Sequence, residues 1–317
     1  MAGGATAWTK RVIGMGTRTY NQQRVQQMLF IVSVLAPMAF IFALFWIYPI
    51  IRGFWGSFTL WRAFNPNAPF VGLRHYTGLL SDPIFLKALQ NTFYYALLYL
   101  PAAIAIALLL ALAVEATSGL RGLFRMVYFI PVVTSTIATA LIWAWLYQPA
   151  FGLFNQILQL FQLPPQGFLR STSQALPSIV AYALWKNLGF HMVIFIAGLT
   201  SIDTSFYDAA RVDGANRWQT FWRITLPLLQ PTMIFVLVTG VIGALQVFGP
   251  IYVMSGGGSS LPGGPANATM VVSVYQWLIA FRELELGYGS AMGMVLFVII
   301  LFLTLIQIGV LRTRWEY

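Results

Sequence analysis

Apolar residues dominate six stretches of the chain, near 28–51, 92–114, 124–147, 178–200, 228–249 and 289–311. Each is long enough, as a helix, to cross a hydrocarbon core of about 30 Å, which takes about 20 residues. Backbone polar groups in lipid must be satisfied within the segment, so the runs predict helices. The alternating pattern of a membrane barrel is absent. The expectation is an all-α polytopic membrane protein: a polar tail over 1–27, a first span over 28–51, an external segment over 52–91, a core of five spans over 92–311, and a tail over 312–317.

The polar connections differ in kind. Residues 52–91 carry turn signals (Asn65-Pro66-Asn67, Asp82-Pro83) and aromatic residues, which suit an ordered segment lying on the membrane. Residues 148–177 contain Pro164-Pro165 and predict a short interfacial helix around 152–162. Residues 250–288 read as a mobile external loop around the glycine-rich stretch from Ser255 to Pro265. No Lys-Ser/Thr follows those glycines, so they make no phosphate loop. The 201–227 loop reads as two short helices broken at Gly214, the residue suited to a left-handed turn. A capping box from Ser205 to Asp208 would open the first. Ala209 and Ala210 give it a small-residue face, and Phe221, Trp222 and Ile224 an apolar face to the second piece. A polar loop this ordered predicts a docking element.

Composition sharpens this. Of 317 residues, 59% are hydrophobic and 8% charged, against about 25% charged in soluble domains. A net charge of +10 would suggest nucleic acid in a soluble protein. Here the basic residues flank apolar runs, so membrane lipid, not nucleic acid, is the expected surroundings. The first apolar run exceeds a signal-peptide core and no A-x-A site follows, so it reads as an uncleaved span. Lys10, Arg11, Arg18, Arg24, Arg121, Arg125, Arg211, Arg217, Arg223, Arg312 and Arg314 fall on one side. Arg52, Arg62, Arg74, Lys87, Arg170 and Arg282 fall on the other. The excess places both termini and the 201–227 loop in the cytoplasm.

The candidate chemistry is that of a pathway without an engine. The only lysines are Lys10, Lys87 and Lys186, none in a phosphate-loop pattern, so ATP hydrolysis by that route is excluded. No Asp or Glu lies inside a predicted span, which counts against an ion-coupled secondary carrier, the alternative reading. Two distant histidines and no cysteine make a metal site unexpected. Polar and aromatic groups within or ending the spans are the candidates for a solute pathway: Trp185, Asn187 and His191 in the fourth, and Gln246, Phe248 and Tyr252 at the end of the fifth. Asn187 and His191, four residues apart, share a helix face. Neutral hydrogen-bonding groups beside rings suit a polyhydroxylated ligand; the competing reading is bonding between neighbouring helices, which is preferred for Lys186 and His191. Gly240 and Gly243 would allow close helix approach.

The 201–227 loop closely resembles the E-A-A-x-x-x-G-(x9)-I-x-L-P loop of the membrane subunits of binding-protein-dependent ABC importers. Asp208-Ala209-Ala210 precede Gly214, and Ile224, Leu226 and Pro227 follow at that spacing. Tyr207, Asp213, Ala215, Trp218, Phe221 and Trp222 look like the carbohydrate-uptake branch, related to maltose and glycerol-phosphate permeases. Phe70-Val-Gly-Leu-Arg-His-Tyr76, Phe124-Arg125, Phe129-Ile-Pro131, Leu141-Ile-Trp143, Pro149-x-x-Gly152, Ala197-Gly198-Leu199 and Gly287-Tyr-Gly-Ser-Ala291 extend the likeness over nearly the whole chain after residue 28. The chain departs from the pattern at Asp208, usually Glu, at Asp203, often Pro, and at His75, often Asn. The resemblance implies a type I ABC importer permease in a bacterial or archaeal cytoplasmic membrane, itself without cofactor. ATP and magnesium would sit on partner ATPase subunits. Tyr207, Asp208, Ala209, Ala210, Asp213 and Gly214 would dock on those subunits as a coupling helix. A second homologous permease and an extracytoplasmic solute-binding protein are the other implied partners. The solute stays open between a sugar and a phosphorylated polyol, with Lys186 or Arg282 available to an anion.

Overall fold

The computed structural model describes residues 5–65, 67–117, 119–256 and 262–311, with side chains from residue 24 onward. The expected C-terminal tail with Arg312 and Arg314, and the centre of the glycine-rich stretch, lie outside the described residues. The chain divides into two compact units, Met1–Gly56 and Ser57–Tyr317.

In the first unit α1 (Ala5–Phe42) passes through a π-helical turn (Ala43–Ile47) into α2 (Tyr48–Gly56). Helix thus begins well before the apolar run at 28. Its segment Arg24–Gly56 is apolar enough over 33 residues to cross a membrane.

In the second unit the segment before α3 (Arg74–Ser81) holds isolated antiparallel bridges, Thr59 to Phe70 and Arg62 to Asn65. The long helix α4 (Pro83–Ala116) follows. Pro83 suits its first position, where no N–H is needed, and Asp82 caps it. One Asp82 carboxylate oxygen accepts from the Ile84 and Phe85 amides at 2.9 and 3.1 Å. The other accepts from the hydroxyls of Tyr275 and Tyr288 at 2.9 and 3.0 Å, tying the start of α4 to distant parts of the chain. At the far end Glu115 has the wrong sign for a helix C-terminus. Arg125 at 2.6 Å and Arg121 at 3.4 Å compensate it.

Residues 124–147 do not form one straight span. α5 (Arg121–Val133) and α6 (Thr136–Leu146) meet at a bend of 93°. The chain turns extended at Thr134 and Ser135, and Ser135 caps α6 through the Ala138 amide at 3.5 Å. α7 (Leu153–Leu160) is a short helix within the 152–162 stretch where one is expected. α8 (Ala175–Thr200) packs against α4 and α5. The buried side chains of α4, including Ala88, Thr92, Tyr95, Tyr99, Ala103, Ala107 and Ala111, recur every three to four residues. Their many alanines admit a neighbouring helix closely. Where α8 crosses α5, a Cβ on Gly189 would collide with the Tyr128 carbonyl, so backbone meets backbone.

The loop helices α9 (Thr204–Val212) and α10 (Arg217–Thr220) lead through a π-helical turn (Phe221–Thr225) and α11 (Leu226–Leu228) into α12 (Gln230–Leu245). α13 (Gly249–Met254), α14 (Val272–Trp277), a π-helical turn (Leu278–Arg282) and α15 (Leu286–Leu311) complete the chain. The reading of 250–288 as a mobile loop is corrected over much of its length. Met270, Val271, Val272, Val274, Tyr275, Leu278 and Ile279 lie in the main core. Asn91 donates to the Asn267 and Met270 carbonyls at 2.8 and 2.9 Å, and the Val272 amide donates to Thr92 at 3.0 Å. Buried polar groups on α4 are therefore satisfied by the incoming segment, and the apolar run of that segment covers them. Among the described residues five helices are long and apolar enough to cross a membrane, six with the bent pair taken as one span.

Candidate functional site

The 201–227 loop is built from local hydrogen bonds. Asp203, not Ser205, caps α9, its carboxylate accepting from the Ser205 amide at 2.8 Å. The expected capping box from Ser205 to Asp208 does not form: helical geometry starts at Thr204, placing Ser205 inside the first turn. Bonding to Ser205 holds the Asp203 carboxyl below its ordinary value. Asp208 instead pairs with Arg211 at 2.9 Å on the surface. A capping box does form further on, where Asn216 and Gln219 exchange two bonds of 2.9 Å at the start of α10. Between the helices Gly214 has φ +72°, with Gly214 N–H to Arg211 O at 3.1 Å and Ala215 N–H to Ala210 O at 2.9 Å. This is a Schellman closure, which needs the left-handed residue that glycine supplies.

Ala210 is buried, whereas Asp208, Ala209, Asp213 and Gly214 are exposed. Tyr207 is half-buried, its hydroxyl 3.4 Å from that of Thr225, across the foot of the loop. Phe206, Val212, Trp218 and Trp222 stand in the open, Val212 at 88% exposure. Sequence reading missed Phe206 and Val212, since isolated apolar residues in a polar loop carry no period.

A cavity of about 350 Å³ lies between α4, α8, α12 and the start of α6 and α13. Of the six pathway candidates, Asn187, His191 and Phe248 line it. Trp185 packs instead on Trp143 and Tyr182, with ring centres 5.3 and 6.2 Å away. Tyr252 packs on Trp277 and Phe248 at 4.9 and 5.3 Å. Gln246 ends α12 and is exposed. Phe190, beside His191, joins the lining, as do Tyr95, Tyr99 and Thr239, which sequence reading missed. The tyrosines, four residues apart, count as apolar in a hydropathy reading, which hides their hydroxyls.

Within the cavity Tyr95 and Tyr99 stack at 5.7 Å with planes 13° apart. The Tyr99 hydroxyl lies 3.3 Å from His191 Nε2, and His191 Nδ1 is buried without a partner among the described residues. Asn187 donates to the Ala183 carbonyl at 3.1 Å, leaving its side-chain oxygen to accept. Gly240 makes room for the Leu100 side chain, whereas nothing lies within 4 Å of a Cβ built on Gly243, which opens into the cavity. Stacked rings, a free imidazole nitrogen and an amide oxygen can hold an uncharged hydroxylated ring by its faces and edges.

Over residues 12–315 the chain matches the family described as binding-protein-dependent transport system inner membrane component. The chain belongs to that family. The permease is 33% identical to the sulfoquinovosyl glycerol transport system permease protein SmoG of Agrobacterium fabrum, over 90% of this chain and 91% of that one. It is 35% identical to the trehalose/maltose transport system permease protein MalF of Thermococcus litoralis, over 89% of this chain and 93% of the relative. A solved bacterial ABC transporter involved in the import of the acidic polysaccharide alginate shares its fold, with TM-score 0.80 at 25% identity over 94% of this chain and 100% of that one. The permease is thus an all-α, multi-pass membrane protein of the type I ABC importer fold.

Proposed function

We propose that this permease moves a sugar or sugar-like solute by alternating access, powered by separate ATPase subunits. The observation that carries the reading is the pairing, within one unit, of a ring-lined cavity among the spans with a loop that exposes Phe206, Val212, Trp218 and Trp222. Apolar residues held outward by two caps and a Schellman turn suit a partner groove better than water. In the proposed cycle, Tyr207, Asp208, Ala209, Asp213 and Gly214 seat in a cytoplasmic ATPase that binds ATP and magnesium, whereas Ala210, expected on the docking face, is buried against the chain itself and leaves that set. Closure of two such subunits pulls α9, and the spans expose the cavity outward to a solute-binding protein. A second homologous permease completes the pathway. The sugar class rests on the cavity's rings and uncharged acceptors, and on relatives named for trehalose/maltose and sulfoquinovosyl glycerol.

The test is uptake into proteoliposomes holding this chain, its partner permease and the ATPase subunits, with ATP inside and the binding protein outside. Labelled sugar should accumulate only when every component is present. Uptake driven by a proton or sodium gradient without the ATPase subunits would establish the secondary-carrier alternative instead. Gly214→Val should abolish ATP-driven uptake while leaving membrane insertion intact. No Cβ clash arises there, so the effect comes from a left-handed backbone that a β-branched residue resists by about 1–2 kcal/mol. Normal uptake by that variant would remove the loop from the mechanism.

A further inference from the structure

Lys186 lies mid-way along α8 with 4% of its surface exposed. Among the described residues it forms no ion pair with a carboxylate. A bare ammonium at this depth is costly, so what satisfies it bears on its role. Its nitrogen donates to the carbonyls of Pro131, Val132 (3.2 Å) and Thr134 (2.6 Å), with the Thr134 hydroxyl at 3.3 Å. These carbonyls belong to the broken end of α5. A helix ending inside an apolar layer orphans its last carbonyls where no water is at hand to take them. The negative end of the α5 dipole is at the same time a counter-charge for the ammonium.

The hydrogens of the ammonium are taken up by backbone, so Lys186 borders the cavity without presenting a free charge to it. Two neighbours on the same α8 face address the same break. Tyr182, one turn earlier, donates to the Thr136 carbonyl at 2.9 Å and lies 2.8 Å from the Thr139 hydroxyl, holding the start of α6. Gly189, one turn later, lets α8 touch α5 at Tyr128. Positions 182, 186 and 189 are spaced four and three apart, so one stripe grips both arms of the 93° bend. Thr136, which lines the cavity, sits at that bend.

We infer that Lys186 is a positioning residue: an intramembrane C-cap that fixes the break of the third span and thereby the cavity wall at Thr136. The chain has no cysteine, so Met126→Cys and Ile142→Cys, both exposed and one on each arm, place spin labels cleanly. Distances are measured by electron spin resonance on the full chain in nanodiscs. The parent should give one narrow distribution. Lys186→Met should broaden or shift it, and Lys186→Arg, which keeps donors and charge, should restore it. A Lys186→Met distribution matching the parent overturns the proposal, as does one that Lys186→Arg fails to rescue. Should Lys186→Met not insert, Tyr182→Phe, which deletes one hydroxyl from the α6 side, gives the decision: broadening supports the clamp and an unchanged distribution refutes it. The distance reads the same whether or not the solute is a sugar, so this result and the uptake result stand or fall separately.

Discussion

Asp203 shows how much one side chain decides at the edge of the loop. Its carboxylate receives the Ser205 amide and with it starts α9. Such a bond favours the charged form, which lowers the carboxyl below its ordinary value of 3.8. A group so depressed contributes its stabilisation fully above its unfolded value, and loses it as pH falls through the lower folded value. A carbon-13 titration of the Asp203 carboxyl should therefore show a midpoint below 3.8. A midpoint at or above that value would mean the cap is not formed in solution. The residue also explains why the pattern Ser205-x-x-Asp208 misled. Both positions have capping chemistry, but a stronger cap two residues earlier started the helix first and drew Ser205 into it. Gly214 was legible for the opposite reason: a positive φ admits few residues, so glycine there had few other meanings.

At the scale of elements, runs longer than 20 apolar residues were readable because lipid leaves a chain few options. The break between α5 and α6 was not. Pro131 and the Thr134-Ser135-Thr136 sequence mark it, but prolines and hydroxyls also occur in unbroken spans, and the apolar content of 124–147 is continuous across it. What makes the break tolerable is Lys186 and Tyr182, supplied some fifty residues later, a dependence that no local pattern carries. The cavity was half legible for a related cause. Asn187 and His191 announce themselves as polar in an apolar run, while Tyr95 and Tyr99 become polar only when the fold turns their hydroxyls inward. The packing of α5 on α8 gives a further prediction. Gly189→Ala places a methyl against the Tyr128 carbonyl, where the neighbour is backbone and cannot swing away. Overpacking of this kind costs about 1–3 kcal/mol. Thermal unfolding in nanodiscs should show a lower Tm, and an unchanged Tm would contradict the contact.

At the scale of the molecule, the carboxylates among the described residues are kept to the edges of the spans. Asp82 sits where α4 begins and Glu115 where it ends, and Asp203, Asp208 and Asp213 lie on the loop. With that distribution and no phosphate loop, the chain purified alone is expected to show no ATP hydrolysis, with activity appearing when ATPase subunits are added. Measurable turnover by the isolated chain would contradict the division of labour proposed above. The start of the loop is joined to the interior by one stiff rod, and its end by α11 and α12. α8 runs from Gly189 to Thr200 without a break and passes into α9 through a turn capped by Asp203. That stretch is about 16 Å long at 1.5 Å per residue. Gly189 bears on α5 through main-chain atoms, with no soft side chain between to absorb a load. It is placed as a fulcrum, and the last three turns of α8 are its lever arm. A sideways push of about 1.5 Å at the loop would tilt that arm by roughly 5°, and the tilt would arrive at the bent third span as torque.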